Sequence, residues 1–503
     1  MGYLLAHDVG TSGCKAVLTD ESGKVIAIAH EAYPTYYPQP LYAEQDVEDW
    51  WRAVVKATRR VLEISGAGPR EVLGLAFSSQ MLNTIPVDAN GSPLRRCISW
   101  LDGRAWEEAL QVMRKLGGKA LFTQIVGSAL TGKDLLPKYL WLKRHEPEIY
   151  KRSAAFMDCG GYLLQRTTGR MVGEWSVVSV TGLFNMKKKT WDTSLINLFG
   201  LDRAKFPELV RSIDQVGGLR TEPASELGLL EGTPVFGGAG DAQCTAVGSG
   251  AVGDGDAHLA LGTSGYVVVL TTRNITGRRG VATIHSADPA KLLVIAESET
   301  VGACLKWVAR EFYGTEATED VYARMDAEVA NTEAGSGRLI FTPWMYGERC
   351  PVPDESVRAA FINLGVNHTR QQMARAIYEG VAYNFRWILD LIANRYGFAC
   401  QSLRVVGGGA RGLPWLRILS DVTRRQLEKT PHDQEAAAVG AALIAAIGLG
   451  IHPTFEAVKP LVPAVQTFQP DPLTQATYEE LYRAYLKVYP SLKDLYHQLN
   501  RAG

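Results

Sequence analysis

The chain lacks net charge: 53 Lys and Arg balance 53 Asp and Glu. Its longest block of like charge is Lys187-Lys-Lys189, which reads as a solvated turn. A polyanion needs a basic face, so nucleic acid is not expected as the main partner. Cysteine is sparse and scattered, at Cys14, Cys97, Cys159, Cys244, Cys304, Cys350 and Cys400. No pair has metal-ligand or redox spacing, so reduced thiols in a cytoplasmic protein are expected. The longest uncharged apolar run, Ala436 to Ile451, is too short and too rich in Ala and Gly for a bilayer, and no membrane partner is expected. The start, Met1-Gly-Tyr-Leu-Leu-Ala6, has neither the basic region of a signal peptide nor a myristoylation signal. A Walker-type lysine motif is missing, and no Rossmann glycine spacing occurs, which sets aside those two nucleotide-binding classes.

What is present is ordinary in amount and unusual in arrangement. At 503 residues and 46% hydrophobic content, the chain should form two or more domains with substantial cores. Asp8-Val-Gly-Thr-Ser-Gly13 lies between apolar runs and reads as a strand, a tight turn and a second strand. Its free backbone N–H groups and hydroxyls suit phosphate oxygens, and Asp8 at the lip suits a magnesium ion. Gly262-Thr-Ser-Gly265 repeats the turn half a chain later, again between apolar runs. Two matched halves facing a shared cleft are expected, divided as residues 1–250 and 251–503. Asp8 in the first copy is Ala260 in the second, so a metal ion is expected on one side only.

Further stretches carry polar groups to the ends of strands. Val72 to Ser78 leads into Ser79-Gln-Met-Leu-Asn83, and Ile98-Ser-Trp-Leu-Asp-Gly-Arg104 ends another strand. Strand ends are where α/β domains meet ligands, so Gln80, Asn83, Trp100, Asp102 and Arg104 are candidate substrate-side residues. Pro234-Val-Phe-Gly-Gly-Ala-Gly-Asp241 runs from a strand through a glycine turn to an acid at a helix start. Asp241 there is either an N-cap or a catalytic base held at the cleft. Leu403-Arg-Val-Val-Gly-Gly-Gly-Ala-Arg411 makes a similar turn, whose bare backbone admits a flat ring such as adenine. Two helices of small residues, Ala242 to Val247 and Glu435 to Leu443, are expected to cross between the domains. The helix around Pro137 to Glu146 looks like packing, without chemistry.

Together these pieces resemble the FGGY family of carbohydrate kinases, within the actin, sugar kinase and Hsp70 superfamily. The resemblance rests on Asp8-Val-Gly-Thr-Ser12, Leu136 to Glu146, Gly237-Gly-Ala-Gly-Asp241, Leu261-Gly-Thr-Ser-Gly265, Ala360 to Gly380 and Val406 to Arg411. Glu44-Gln-Asp46 with Trp50-Trp51, and Gly347-Glu-Arg349, look most like the xylulokinase branch. The family implies two ribonuclease-H-like α/β domains with ATP and Mg2+ in the cleft between them, and a possible homodimer. By that resemblance Gly10, Thr11, Ser12, Lys15, Gly262 and Thr263 surround the phosphates. Gly302 and Lys306 lie near the nucleotide, and Gly408, Gly409 and Ala410 carry the adenosine. Asp8 and Asp241 serve the metal, and Asp241 is the general base. Gln80, Met81, Trp100, Asp102 and Asp241 form the substrate side.

The resemblance fails selectively. Xylulokinases have Met-His where this chain has Met81-Leu82, and Leu82 offers no hydrogen bond to a hydroxyl. Leu101 replaces the usual asparagine, and Ala242 stands where xylulokinases have Asn. ATP-dependent phosphorylation of a pentulose is expected, with another ketose or a short polyol such as a tetritol as the alternative acceptor. A sensor that closes on sugar without phosphorylating it is disfavoured, because both Asp8 and Asp241 are present.

Overall fold

The computed structural model describes residues 2–119, 121–122, 129–278, 280–314 and 318–500. Two seven-stranded sheets organise them. The first is built from β1 (Tyr3–Val9), β2 (Gly13–Asp20), β3 (Val25–Ala32), β4 (Val72–Ser79), β5 (Gln215–Gly218), β6 (Pro234–Phe236) and β7 (Ala239–Gly240). Its order is β5-β6-β4-β1-β2-β3, with β7 paired to the end of β4. The second holds β8 (Ala257–Leu261), β9 (Gly265–Thr271), β10 (Val281–His285), β11 (Leu292–Ser298), β12 (Ser402–Val406), β13 (Gln426–Lys429) and β14 (Gln466–Phe468), in the order β10-β11-β9-β8-β12-β13-β14.

The halves repeat one plan. β1 runs antiparallel to β2 and parallel to β4; β8 runs antiparallel to β9 and parallel to β12. Strands with helices on both faces are buried on both faces, so β1 and β8 are mostly apolar, each with one buried histidine, His7 and His258. Asp8 interrupts the first run, and its place in the second is taken by Ala260.

The helices used below are α1 (Val47–Ser65), α2 (Leu135–His145), α3 (Asp241–Gly248), α4 (Gly302–Tyr313), α5 (Arg370–Tyr396), α6 (Leu413–Thr423), α7 (Ala436–Gly448) and α8 (Gln475–Leu499). Asp46 caps α1 by accepting from the Glu48 N–H at 3.0 Å, and Gly66 ends it in a left-handed turn. Trp50, Trp51, Val54 and Val61 of α1 bury against the first sheet. Helices α5, α6 and α8 cover the second sheet with Ile377, Phe385, Leu416, Tyr478 and Tyr485.

The first sheet's other face takes a helix from the far end of the chain. Leu443, Ala445 and Ala446 of α7 share a core with Leu4, Ala6 and Ala76 of β1 and β4. Crossing α7 is α3, as the small-residue pattern anticipates. A Cβ on Gly248 would lie 1.8 Å from the Ala436 carbonyl oxygen, and one on Gly440 would lie 1.8 Å from that of Cys244. Two backbones thus touch where the halves meet, a contact that only glycine permits. Each half lends one of these helices, so the halves interlock at the crossing. All seven cysteines are buried. Among the described residues, no helix is long and apolar enough to cross a membrane.

Candidate active site

Both glycine hairpins and Asp241 converge between the sheets. In the first hairpin the Gly10 N–H donates to the Gly13 carbonyl at 3.0 Å, and the Tyr33 hydroxyl donates to the Gly10 carbonyl. Gly13 is required by crowding: a Cβ there would sit 2.7 Å from the Glu31 carbonyl oxygen. Thr11 is gripped twice, by the Gln45 amide at its carbonyl (2.7 Å) and by the Trp100 indole N–H at its hydroxyl (2.9 Å). Ser12 stands exposed at the tip. Asp8 accepts from the Ser78 hydroxyl at 2.9 Å through Oδ1. Burial pushes its pKa up, against the pull of Ser78 and of Lys15. Lys15 also reaches across the halves and donates to the Gln434 carbonyl at 2.6 Å.

Asp241 is the first residue of α3, and Gly240 occupies the cap position. The carboxylate accepts from its neighbour, the Ala242 N–H, at 2.8 Å. It keeps an exposed face on the cleft, yet protein crowds it closely. Loss of bulk water therefore pushes its pKa up to about 7, with the charges of Asp8 and Glu297 adding to the effect. A glycine turn sets its position, for Gly238 has φ 66° and a Cβ there would lie 2.0 Å from the Phe77 carbonyl oxygen. Behind the turn, the Gly240 N–H donates to the Ser176 hydroxyl at 3.3 Å, and Ser176 donates to Glu174. Glu174 is buried, which pushes its pKa up to about 8.

The second hairpin leaves Gly262, Thr263 and Ser264 exposed. It is welded to the start of α4. The Gly302 N–H donates to the Gly262 carbonyl at 2.9 Å, and the Val301 and Ala303 N–H groups donate to that of Thr263 at 3.0 and 3.1 Å. A Cβ on Gly302 would fall 2.5 Å from the Gly262 oxygen. Lys306 is exposed one turn along α4. Because β12 pairs with β8, Gly407 to Ala410 emerge beside this hairpin. Nothing lies within 4 Å of where a Gly408 Cβ would be, so its backbone is bare. Gly409 packs on Trp415 and Leu261, while the Ala410 side chain is buried and its carbonyl accepts from Lys429 at 3.0 Å.

On the acceptor side, Gln80 is 2% exposed and gives its amide to Gln45 at 2.7 Å. Asp102 is 0% exposed; it accepts from the Ala43 N–H at 2.6 Å and pairs with Arg104 at 2.7 Å, which also binds Glu44. Gln80, Asp102 and Arg104 are thus tied into the protein by hydrogen bonds and ion pairs, and the Gln80 side-chain oxygen is left without a partner among the described residues. Met81 and Trp100 are half-buried. Asn83 joins the two stretches, donating to the Gln80 carbonyl and accepting from the Trp100 N–H, both at 3.1 Å. A surface cavity of about 490 Å³, lined by Tyr37, Leu41, Tyr42, Leu101 and Lys133 among others, contains none of the expected site residues.

Sequence reasoning passed over Gln45, Ser78 and Tyr266. Tyr266 directly follows the second Gly-Thr-Ser-Gly and pairs with Ala260 across the hairpin; the charge of Asp241 raises its pKa, after burial itself. Its place after the repeated motif was the available signal.

Two similar α/β halves, each presenting a glycine hairpin to a cleft with a carboxylate at its floor, define an ATP-dependent phosphotransferase of the sugar kinase and actin superfamily. Models of the FGGY family of carbohydrate kinases match the chain, the N-terminal domain over residues 3–248 and the C-terminal domain over residues 257–449. The chain belongs to that family and is an ATP-dependent carbohydrate kinase. It is 31% identical to a xylulose kinase of Staphylococcus epidermidis over 494 residues, 98% of this chain and 97% of the relative. A gluconokinase of Bacillus subtilis is 26% identical over 499 residues, 98% of this chain and 96% of the relative. The crystal structure of xylulose kinase from Rhodospirillum rubrum superposes with a TM-score of 0.88 at 26% identity, covering 98% of this chain and 100% of that one.

Proposed function

We propose that the chain transfers the γ-phosphate of ATP to a hydroxyl of a pentulose, with Asp241 as general base. The observation that carries this is the placement of Asp241: a glycine turn sets it at the first residue of α3, exposed, with its carboxylate held by a single backbone N–H. Met81 and Trp100 would form the acceptor wall, with Leu82 beside them. Asp241 would orient the acceptor hydroxyl and take its proton as the new phosphorus–oxygen bond forms. Thr11, Ser12 and Lys15 from one half, and Gly262, Thr263 and the start of α4 from the other, would hold the phosphates from opposite sides. Gly408 and Gly409 would carry the adenosine.

The residues present fit magnesium. Among the described residues, no group of three or more His, Cys, Asp or Glu could hold a metal alone. Mg2+ is commonly held by one or two carboxylates together with substrate phosphates, and Asp8 and Asp241 repel each other where a cation would relieve them. Asp8 and Asp241 would hold it, and the chemistry it supplies is neutralisation of phosphate charge.

Leu82 stands where relatives of the xylulokinase branch carry histidine, and an apolar wall favours acceptors with fewer hydroxyls there. The test is ADP release over a panel of ketoses, aldonates and short polyols, for the parent and Asp241→Asn. Saturable turnover on a pentulose, falling about 1,000-fold in the variant, is expected. Unchanged turnover in Asp241→Asn removes the base assignment, and turnover confined to an aldonate or a tetritol removes the pentulose.

A further inference from the structure

A lysine outside the expected site holds the acceptor wall together. Lys138 lies on α2, in a helix whose leucines and Trp141 read as packing. It is 0% exposed. Its ammonium donates to the Leu82 carbonyl at 2.9 Å and to the Ser99 carbonyl at 2.8 Å. Asp102, whose charge it feels, is already engaged by Arg104. Asp134 also bears on its charge and is engaged by the Thr131 N–H and hydroxyl. Burying an ammonium whose hydrogen bonds go to carbonyls is costly, and a methionine would fill the same space. What the ammonium does here is hold two carbonyls from two separate loops.

Those loops carry the cleft face. The first is Gln80 to Asn83, in which Leu82 has φ 59°, a left-handed backbone that a residue with a Cβ adopts with difficulty. The second is Ser99 to Asp102, which carries Trp100. Trp100 in turn donates to the Thr11 hydroxyl in the first phosphate hairpin at 2.9 Å. A single side chain thus fixes the strained peptide beside Met81 and the peptide beside Trp100.

We propose that Lys138 is a positioning residue for the acceptor: its bonds to the Leu82 and Ser99 carbonyls set the Met81–Leu82 and Trp100 edges of the cleft at the spacing the acceptor needs. The inference rests on the reading that the acceptor lies against this wall. It assigns chemistry to a helix that otherwise only packs. It also makes Leu82 a position whose backbone, as much as its side chain, matters for the acceptor.

The test separates binding of acceptor from binding of ATP. Lys138→Met, Lys138→Gln and Met81→Ala are compared with the parent in steady-state kinetics on the best acceptor. The acceptor KM should rise about tenfold in Lys138→Met, with the KM for ATP within about twofold. Lys138→Gln retains one donor, should fall between Lys138→Met and the parent, and stands in if the methionine variant does not fold. Relief of the strained backbone offers a second readout: in a Leu82→Gly background, where left-handed backbone is unstrained, Lys138→Met should raise the acceptor KM less. If the Lys138 variants lose only active protein, with both KM values unchanged, the positioning role is wrong. Should Met81→Ala raise the acceptor KM while the Lys138 variants do not, the wall stands and the inference falls. If none of the three moves it, the wall reading itself fails and takes the inference with it.

Discussion

The two glycine hairpins have the same sequence and the same strand partners, but they carry different chemistry. In the first, the cross-strand row through the residue before the turn runs Ser78, Asp8, Lys15, His30 across neighbouring strands. In the second it runs Val406, Ala260, Tyr266, Glu297. The turns also differ in register: Val9 pairs with Cys14, whereas Leu261 pairs directly with Gly265. A repeated fold gives two hairpins of equivalent shape. In the proposed reading, the residues around them make one half the charged side that would hold the metal and the other the side that would carry the nucleotide. Duplication supplies the scaffold, and the departure from symmetry supplies the function.

The largest effect should come from removing that asymmetry. Asp8→Ala makes the two halves alike and should lower kcat/KM by about 1,000-fold, with a raised magnesium requirement seen in a titration of the metal. The reverse change, Ala260→Asp, adds an unpaired carboxylate to a nearly buried position near Asp241 and should lower activity by about tenfold. Equal losses in the two variants would show that the hairpins are interchangeable and that the asymmetry is incidental.

The joint between the halves comes next. Gly440→Ala puts a methyl group into the Cys244 carbonyl at the crossing of α3 and α7. Overpacking of this kind should cost about 3 kcal/mol, read as a fall in the denaturant midpoint. Gly408→Ala, where the added Cβ meets nothing, is the control and should leave stability within about 0.5 kcal/mol. A tolerated Gly440→Ala would mean that the halves do not meet as tightly as their backbones indicate.

The last effect concerns pH. Glu174, behind the Asp241 turn, has its folded pKa raised from 4.5 to about 8 by burial. The folded state therefore keeps a proton that the unfolded state releases. Its contribution is complete below the unfolded pKa and is lost as pH rises between about 4.5 and 8, with a slope of up to about 1.4 kcal/mol per pH unit. Glu174→Gln should flatten this part of the stability curve relative to the parent. A slope unchanged by the substitution assigns the pH dependence elsewhere, for instance to Glu348 or Asp241, both raised to about 7.

How far the sequence could be read depended on the kind of information. Asp8, Asp241 and both Gly-Thr-Ser-Gly turns were legible because a glycine turn between apolar strands has few uses. The crossing of the small-residue helices was legible for the same reason, since only small residues let backbones touch. Gln80, Asp102 and Arg104 were legible as polar groups at strand ends, but their burial and their bonds to Gln45, Ala43 and Glu44 were not, because those partners lie far away in sequence. Lys138 was hidden by its leucine neighbours, because nothing in a local pattern tells a buried amine from a solvated one.

By itself, then, the sequence determined the two-half plan, the two glycine hairpins and the acid at the glycine turn. Those features are local, set by backbone freedom and by the spacing of apolar residues along the chain. Only the tertiary structure decided which polar groups are buried and what they bond, that α7 closes the first sheet, and that Asp8 and Glu297 bear on Asp241. Such relations join residues tens to hundreds of positions apart. Packing fixes the direction of a side chain and the charges around it, and packing exists only once the chain has folded.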